Sequence, residues 1–179
     1  MAKRVSFSDE RLEPTEIATH QRDVESSLTL YFSAAAPAFA SRFDGYAADE
    51  VSDELGNRLN ESDLISSLTV LAAVEAAFRI DYLQRCYKKK KDRLSRALRT
   101  IYQEKRQHAS LEDDIFEAWV VNASGTGSII GELRGAFKFR HWLAHGRYWK
   151  PKLGRRYNFD DVYVLADQTL NSFPFDGGQ

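Results

Sequence analysis

The sequence predicts an all-α protein, an up-down helical bundle with an additional N-terminal helical segment. Apolar residues recur at spacings of three, four and seven along most of the chain, as they do on helices that bury one face. Hydrophobic residues make up 43% of the 179, which is enough for a core and suits one domain. We expect residues 1–60 to form an acidic helical extension, residues 61–173 the bundle, and residues 174–179 a C-terminal tail.

The composition excludes several classes of protein. Cys86 is the only cysteine, which excludes an internal disulfide framework and a cysteine metal cluster, and we expect it to pack in the bundle. No apolar run approaches the length of a membrane span, and no signal peptide opens the chain. The sequence therefore predicts a soluble, cytoplasmic protein with no membrane partner.

The N-terminal third predicts two helices. Residues 1–13 are polar and charged, and we expect them to form a mobile arm. Pro14 suits the start of a helix, because its ring fits the first helical turn, and Pro37 should end or kink that helix. A short acidic helix is expected over residues 46–59. The predicted stripe of the first helix contains Ile17, Val24, Leu28, Tyr31 and Ala35.

The middle of the chain predicts a long apolar helix followed by basic and acidic ones. Ser62 has the side chain of an N-cap. Helix should continue through the basic stretch 88–106, and a shorter helix over 111–122 should be capped by Ser110. The stripe of the long helix is predicted to contain Leu64, Leu68, Leu71, Phe78 and Tyr82.

The last third predicts two helices separated by a basic, aromatic loop over residues 147–157. Gly146 is expected to end the first of them, which places His145 in its last turn. Asn158 should cap the second. The predicted stripes contain Ile130, Leu133, Phe137 and Ala144 in the first helix and Phe159, Val162, Ala166 and Leu170 in the second.

One charged residue interrupts each of the two most apolar stripes, Glu75 in the long helix and Arg140 in the helix before Gly146. An unpaired buried charge is very costly. We therefore expect Glu75 to lie close to Arg140 or to Arg79, one turn further along its own helix. A structural ion pair between two core helices would explain Glu75 and Arg140 without any catalysis.

The net charge of −1 hides an uneven distribution. Residues 1–63 hold 6 Lys/Arg and 13 Asp/Glu, whereas residues 79–106 hold 11 and 3. Residues 138–156 hold 7 basic residues and no acidic ones. Two basic blocks favour a polyanionic partner such as RNA, although solvated helix faces balanced by the acidic N-terminus would explain them as well.

The segment Arg140-His141-Trp142-Leu143-Ala144-His145 resembles the signature of the HEPN superfamily, an arginine and a polar residue followed by a histidine after four to six intervening residues. Glu75-x-x-x-Arg79 is similar to an acidic–basic element that some HEPN nucleases carry on the helix facing the catalytic one. The resemblance covers the chain from about residue 61 onward. It implies a HEPN-like bundle, a homodimer with two motifs in one cleft, and a toxin or phage-defence endoribonuclease restrained by an antitoxin or regulatory protein.

RNA can be cut without a metal by its own 2′-hydroxyl group, when a base removes the hydroxyl proton, an acid protonates the leaving 5′-oxygen and a cation stabilises the phosphorane. Histidine suits the proton transfers, and the planar fork of arginine suits the phosphate. The resemblance assigns the catalytic roles to Arg140 and His145. The expected supporting residues are His141, Glu75 and Arg79, and the expected RNA-binding residues are Lys138, Arg147, Tyr148, Lys88 and Lys89.

Other interpretations of the motif stay open. His145 could cap the helix through its C-terminal carbonyl groups, and a structural role explains His141 as well as a catalytic one does. Arg140 and His145 lie roughly 140° apart on an ideal helix, so they need a distorted last turn or a second copy of the motif. Tyr148 could stack on exposed bases or pack as a corner after the helix.

Two further alternatives concern the class of function. Histidines at positions i and i+4, such as His141 and His145, can bind zinc. The glutamate of an HExxH motif is missing here, and we expect neither a metal nor a cofactor. The alternative to a nuclease is a non-catalytic HEPN-like helical module that binds RNA or a protein with the same basic face.

Overall fold

The chain folds as an all-α protein, as predicted. The computed structural model describes residues 4–8, 10 and 12–176, and within them it contains seven α-helices and no strand. The α-helices are α1 (Pro14–Tyr31), α2 (Phe39–Arg42), α3 (Ala48–Tyr87), α4 (Arg93–Lys105), α5 (Glu117–Asn122), α6 (Gly127–Ala144) and α7 (Phe159–Ser172). A 3₁₀ turn covers Arg106–His108, and a π turn at Leu111–Phe116 leads directly into α5.

The helices form a packed bundle centred on α3. This helix of 40 residues contacts α1, α4, α6 and α7, and at 1.5 Å per residue it is about 60 Å long. Its core-facing side chains include Val70, Leu71, Val74 and Phe78, all fully shielded from solvent. Despite the length of α3, no helix in the described part of the chain is both long and apolar enough to cross a membrane.

The start of α3 differs from the prediction. We predicted a short helix over residues 46–59 and a second one capped by Ser62, but α3 runs continuously through both. The Ala47 N–H donates a hydrogen bond to the Glu50 carboxylate (2.8 Å), which closes the start of the helix. The stretch contains no proline, and a single interior glycine costs only about 1 kcal/mol. The boundary expected between residues 60 and 61 therefore lies inside a helix.

The first helix, α1, ends earlier than predicted. It stops at Tyr31 rather than at Pro37, and of its predicted stripe only Ile17 is buried. The Arg42 guanidinium donates a hydrogen bond to the Tyr31 carbonyl oxygen (2.8 Å) and lies over the Tyr31 ring. This contact satisfies one of the carbonyl groups that a helix end leaves open, so the chain can turn before it reaches the proline.

The basic stretch 88–106 is not one helix, contrary to the prediction. α3 ends at Tyr87, a turn follows, and α4 begins at Arg93. The Ser95 N–H donates a hydrogen bond to the Asp92 carboxylate (2.9 Å). A strong N-cap inside a run of good helix formers therefore starts a new helix.

The turn between α3 and α4 is closed by backbone hydrogen bonds. The Lys89 N–H donates to the Cys86 carbonyl oxygen and the Lys90 N–H to that of Arg85, both at 3.4 Å, which is the Schellman pattern of a helix end. Lys89 has a φ of +52°, in the left-handed region that favours glycine. Lys89, inside the run of four lysines, therefore has a strained backbone conformation.

The start of the C-terminal tail, which we predicted over residues 174–179, packs on the bundle. The Phe175 ring centroid lies 4.9 Å from that of Phe78, at the core. The Arg85 guanidinium donates a hydrogen bond to the Pro174 carbonyl oxygen (2.6 Å). Residues 177–179 of the predicted tail lie outside the described part of the chain.

A buried ion pair on α3 anchors this segment. Asp81 and Arg85 are almost fully buried, and Arg85 Nε lies 2.8 Å from Asp81 Oδ1. The Asp176 N–H also donates to Asp81 (2.6 Å), and the Arg85 guanidinium faces the Trp119 ring. Burial raises the pKa of the Asp81 carboxyl, although these hydrogen bonds oppose the rise. The sequence did not reveal the pair, because charges at i and i+4 look the same on a solvated face.

Part of the N-terminal segment that we predicted to be a mobile arm lies against the end of α3. The Val5 N–H donates a hydrogen bond to the Tyr87 hydroxyl oxygen (3.0 Å). The Arg4 guanidinium lies 4.9 Å from the centroid of the same ring. Residues 1–3, 9 and 11 lie outside the described part of the chain.

Lys89→Gly should stabilise the protein. A non-glycine residue in the left-handed region costs about 1–2 kcal/mol, while glycine loses about 0.5–1 kcal/mol more chain entropy on folding. We therefore expect the free energy of unfolding, measured in urea by circular dichroism, to rise by about 0.5–1 kcal/mol. Lys91→Gly is the matched control, because it adds a glycine to the same turn at a residue without a positive φ. An equal effect of the two substitutions would contradict the explanation.

Candidate active site

Helix α6 carries the arginine and the histidines of the motif, and it packs on α3. Its side chains Ile130, Leu133 and Phe137 are buried, as predicted. Ala144, predicted to belong to the same stripe, is exposed, because the last turn of α6 projects beyond the core. The exposed end of α6 therefore holds the candidate site.

The Glu75 carboxylate joins two arginines. Its Oε1 lies 2.7 Å from Arg79 Nε, and its Oε2 lies 3.0 Å from Arg140 Nη2. The prediction that Glu75 lies close to Arg140 or to Arg79 is confirmed, and it holds for both. The side chains of Glu75 and Arg140 are 19% and 32% exposed, so the three residues place a net positive charge near the surface.

Arg140 lines a cleft of about 300 Å³ between α6, α3 and the π turn. Glu112 and Asp113 of the π turn face the same cleft, and the Ser110 hydroxyl donates a hydrogen bond to the Asp113 carboxylate (3.0 Å). The cleft is therefore mixed in charge. The residues that line it are Glu75, Ser110, Leu111, Glu112, Asp113, Phe137, Arg140 and His141.

Sequence reasoning missed the contribution of the π turn to this cleft. It did identify Ser110 as an N-cap, and the structure confirms this, because the Asp113 N–H donates to the Ser110 hydroxyl oxygen (3.1 Å). The sequence contains no signal that brings residues 110–113 next to residue 140. π turns are rare and often occur at functional sites, but no sequence pattern predicts one here.

Helix α6 ends at Ala144, and Gly146 occupies the C′ position, as predicted. His145, which we predicted to lie in the last turn, is the C-cap residue directly after the helix. The Gly146 N–H donates to the Leu143 carbonyl oxygen (3.3 Å), and the Arg147 N–H donates to that of Trp142 (3.1 Å). These two hydrogen bonds are the Schellman motif. Gly146 and Arg147 have φ angles of +77° and +58°, so two consecutive residues are left-handed and the chain turns sharply.

His141 and His145 lie side by side at this end of α6. Their ring centroids are 4.3 Å apart, and the Trp149 ring lies 5.8 Å from His141 and 6.5 Å from His145. His141 also lines the cleft with Arg140, whereas His145 does not. Within one chain, His141 therefore lies beside both Arg140 and His145. The two predicted catalytic residues, Arg140 and His145, do not line the same cleft.

The RNA-binding residues predicted next to the motif differ in their environment. Lys138 and Tyr148 are exposed, and 83% of the Tyr148 surface is accessible to solvent. Arg147 forms two hydrogen bonds with the Glu61 carboxylate, at 2.7 and 3.0 Å. Arg147 therefore supports the turn after α6 by an ion pair with α3.

The RNA-binding residues predicted in the lysine run lie away from the cleft. Lys88 Nζ is 3.1 Å from the Asp176 carboxylate, and Lys89 is exposed in the turn after α3. At 1.5 Å per residue, Lys88 and Lys89 lie about 20 Å from Glu75 along the axis of α3. The structure does not bring these two lysines together with Arg140.

The described residues offer few side chains that could bind a metal ion or act as a thiol nucleophile. No group of three or more His, Cys, Asp or Glu side chains among the described residues could hold a metal ion. Cys86 is buried in the bundle, as predicted. Burial raises the pKa of its thiol to about 12, which disfavours the thiolate that a nucleophile needs.

No protein-family model matches the chain, and no curated protein or solved structure matches it either. The resemblance to HEPN proteins thus rests on the segment from Arg140 to His145 and on the pair Glu75 and Arg79. The geometry of these residues has to carry any functional argument.

Glu75→Gln should destabilise the protein, because it leaves Arg79 and Arg140 without a counter-charge. The carboxylate is only partly buried, so we expect thermal or urea unfolding to show a loss of about 1–2 kcal/mol, below the roughly 3–5 kcal/mol of a fully buried pair. Glu112→Gln is the control, since it removes a carboxylate from the same cleft that forms no ion pair with the described residues. It should change stability by less than about 0.5 kcal/mol.

Proposed function

We propose that the chain is a metal-independent, HEPN-type endoribonuclease that cuts RNA by attack of the 2′-hydroxyl group and acts as a toxin or in phage defence. The observation that supports this most is the guanidinium of Arg140 held at a cleft beside the exposed pair His141 and His145. In the same proposal, the bundle from about residue 61 onward is a HEPN-like up-down bundle, and the preceding helices are an added segment.

Arg140 is suited to hold the scissile phosphate. Glu75 engages Nη2 and leaves other donors of the guanidinium for a ligand. Among the described residues, the buried Arg140 Nε has no hydrogen-bond partner. Because Glu75 also fixes the guanidinium in place, the positive charge is preorganised for the phosphorane and needs little rearrangement during reaction. Arg79 shares the same carboxylate, so Glu75 does not cancel the charge of Arg140.

The histidines are suited to the proton transfers. One imidazole takes the proton of the 2′-hydroxyl, whose oxygen forms a bond to phosphorus while the bond from phosphorus to the 5′-oxygen breaks. A protonated imidazole gives its proton to the leaving 5′-oxygen. The products are a 2′,3′-cyclic phosphate and a 5′-hydroxyl. His145 is the proposed proton-transfer group, and His141 supports it from the rim of the cleft.

A second copy of the chain would complete this site. His145 does not line the cleft of its own chain, and a two-fold axis beside the end of α6 would set the partner's motif next to it. Apolar surface is available there. Ala144 is exposed at the end of α6, and Ile65, one turn from Glu61 on α3, is 57% exposed.

The acidic rim of the cleft favours one other candidate function. Glu112 and Asp113 next to Arg140 repel a polyanion and attract amino or guanidinium groups. The alternative is a non-catalytic HEPN-like module that binds RNA or a protein, and within this alternative the rim suits a protein, such as an antitoxin or regulatory partner. The two functions differ in whether the purified protein produces RNA fragments.

The purified protein should cut RNA in the presence of EDTA and leave 2′,3′-cyclic phosphate ends. His145→Ala removes proton transfer but leaves the basic surface intact. We therefore expect cleavage to fall by roughly 10²–10⁴-fold while the affinity for RNA changes little. Mass spectrometry of the fragment ends and filter binding measure the two quantities.

Two further variants make this experiment decisive. His20→Ala changes an exposed histidine on α1 and should cleave like the wild type. Arg140→Lys keeps a positive charge facing Glu75 but loses the planar fork, and it should slow cleavage by roughly 10²-fold while the protein stays folded. Fragments that vanish with EDTA or end in a 3′-hydroxyl would refute the mechanism. A wild type that binds RNA but yields no fragments would favour the binding module.

The protein should be a homodimer with the ends of the two α6 helices near the two-fold axis. Ile65→Glu places a charge on exposed surface beside this end, so it should give a folded monomer with little activity. Leu30→Glu is the control, because Leu30 is 71% exposed on α1, and it should stay dimeric. Light scattering at tens of micromolar gives the mass. A wild-type monomer with full activity would refute the shared site.

A further inference from the structure

We infer that Tyr148 is a stacking subsite for one unpaired nucleobase, beside the His141–His145 pair. The nature of the ligand rests on the proposed function, since an RNA strand must pass these histidines to be cut. The subsite itself lies in the loop over residues 147–157, which follows α6.

Tyr148 is held out in solvent by a strained turn. Its surface is 83% exposed, more than that of any other large hydrophobic residue in the described part of the chain. The two preceding residues, Gly146 and Arg147, have positive φ angles. Such a conformation costs an arginine about 1–2 kcal/mol, and strain of this kind is concentrated at functional sites. The turn that ends α6 therefore presents the Tyr148 ring to solvent instead of packing it on the bundle.

The loop that carries Tyr148 is fixed at several points. Arg147 pairs with Glu61 of α3, and the Trp142 indole N–H donates a hydrogen bond to the Trp149 carbonyl oxygen (2.7 Å). Further along, the Tyr157 ring stacks on Phe139, with centroids 5.4 Å apart. Because this backbone is already ordered, a ligand loses little affinity to the ordering of the loop.

The rings of Tyr148 and Trp149 meet at an angle and form the two walls of a corner. Their ring centroids are 4.7 Å apart and their planes make an angle of 71°. A flat base that lies on one ring therefore meets the other ring with its edge. Trp149 lies 5.8 Å from His141 and 6.5 Å from His145, so a base in this corner has its own backbone next to the two histidines.

The charge around this corner selects a nucleic acid over other aromatic ligands. Residues 147–157 contain no acidic residue, and Lys150, Lys152 and Arg156 are exposed. A basic track beside aromatic rings is the arrangement that binds single strands through the backbone and the bases together. Tyr46, which is 57% exposed near α2, lies between acidic neighbours and offers no such track.

The subsite is tested with a single-stranded oligonucleotide whose riboses are 2′-O-methylated, so that the nucleophile is blocked and binding is measured without cleavage. Fluorescence anisotropy of the labelled strand gives the affinity for the full-length protein. Loss of a base–aromatic stack weakens binding by roughly 5- to 100-fold, which is the expectation for Tyr148→Ala. Tyr148→Phe keeps the ring and should bind within about two-fold of the wild type.

Three controls separate stacking from other effects. Tyr148→Leu keeps an apolar side chain without a π face and should bind as weakly as Tyr148→Ala. Tyr46→Ala removes an exposed tyrosine elsewhere and should bind normally. A fully paired RNA duplex, whose bases are already stacked, should bind the wild type and Tyr148→Ala equally. The melting temperature of Tyr148→Ala should equal that of the wild type, because the ring is exposed.

The outcomes distinguish this subsite from the proposed nuclease. Three outcomes would overturn the subsite: wild type and Tyr148→Ala bind the single strand equally, Tyr148→Ala loses as much affinity for the duplex as for the single strand, or the protein binds no strand at all. These are the results expected if Tyr148 contacts a protein instead. Ring-dependent binding without any cleavage of unmodified RNA keeps the subsite and removes the nuclease. Cleavage of unmodified RNA combined with binding that does not depend on the Tyr148 ring keeps the nuclease and removes the subsite.

Discussion

A charge on the inward side of a helix must be paired, and this requirement governs how the bundle assembles around α3. Glu75 binds Arg140 and thereby fixes α6 on one side of α3. Further along, Asp81 and Arg85 bind the backbone of the C-terminal segment and close the end of the core. Apolar contacts alone are not directional and would leave each neighbour free to rotate. We attribute the single arrangement of α6 and of the C-terminal segment to these polar contacts.

The sequence predicts features that depend on local chemistry. The helix ends at Gly146, Ser110 and Asn158 are confirmed because a cap acts on its own first or last turn. The pairing of Glu75 is confirmed too, since a carboxylate on an apolar stripe needs a cation. The sequence fails where a distant contact decides. The packing of Phe175 on Phe78 depends on a buried ion pair, and the acidic rim of the cleft depends on a π turn, neither of which leaves a periodic pattern.

The candidate site has two neighbouring surfaces of different charge, the cleft beside Arg140 and the loop over residues 147–157. Arg140 lines the cleft together with three carboxylates, those of Glu75, Glu112 and Asp113, and Arg79 adds a second positive charge through its pair with Glu75. Such a cleft attracts a polyanion only weakly. The loop over residues 147–157 carries the net positive charge, so under the proposed function the loop supplies the long-range attraction of RNA. The exposed histidine pair lies between these surfaces, because His141 lines the cleft and both rings lie near Trp149 of the loop.

The continuity of α3 has a consequence for the cooperativity of folding. A helix divided at residue 60 would gain two new ends, each with four unsatisfied backbone groups, and it would lose the turn in which Glu61 holds Arg147. The first half of α3 therefore reinforces the loop beside the histidines although it contributes no side chain to the cleft. Because α3 is continuous, unfolding of its N-terminal half is coupled to the order of the loop over residues 147–157. The acidic segment of residues 1–60 therefore shares one continuous helix with the rest of the bundle.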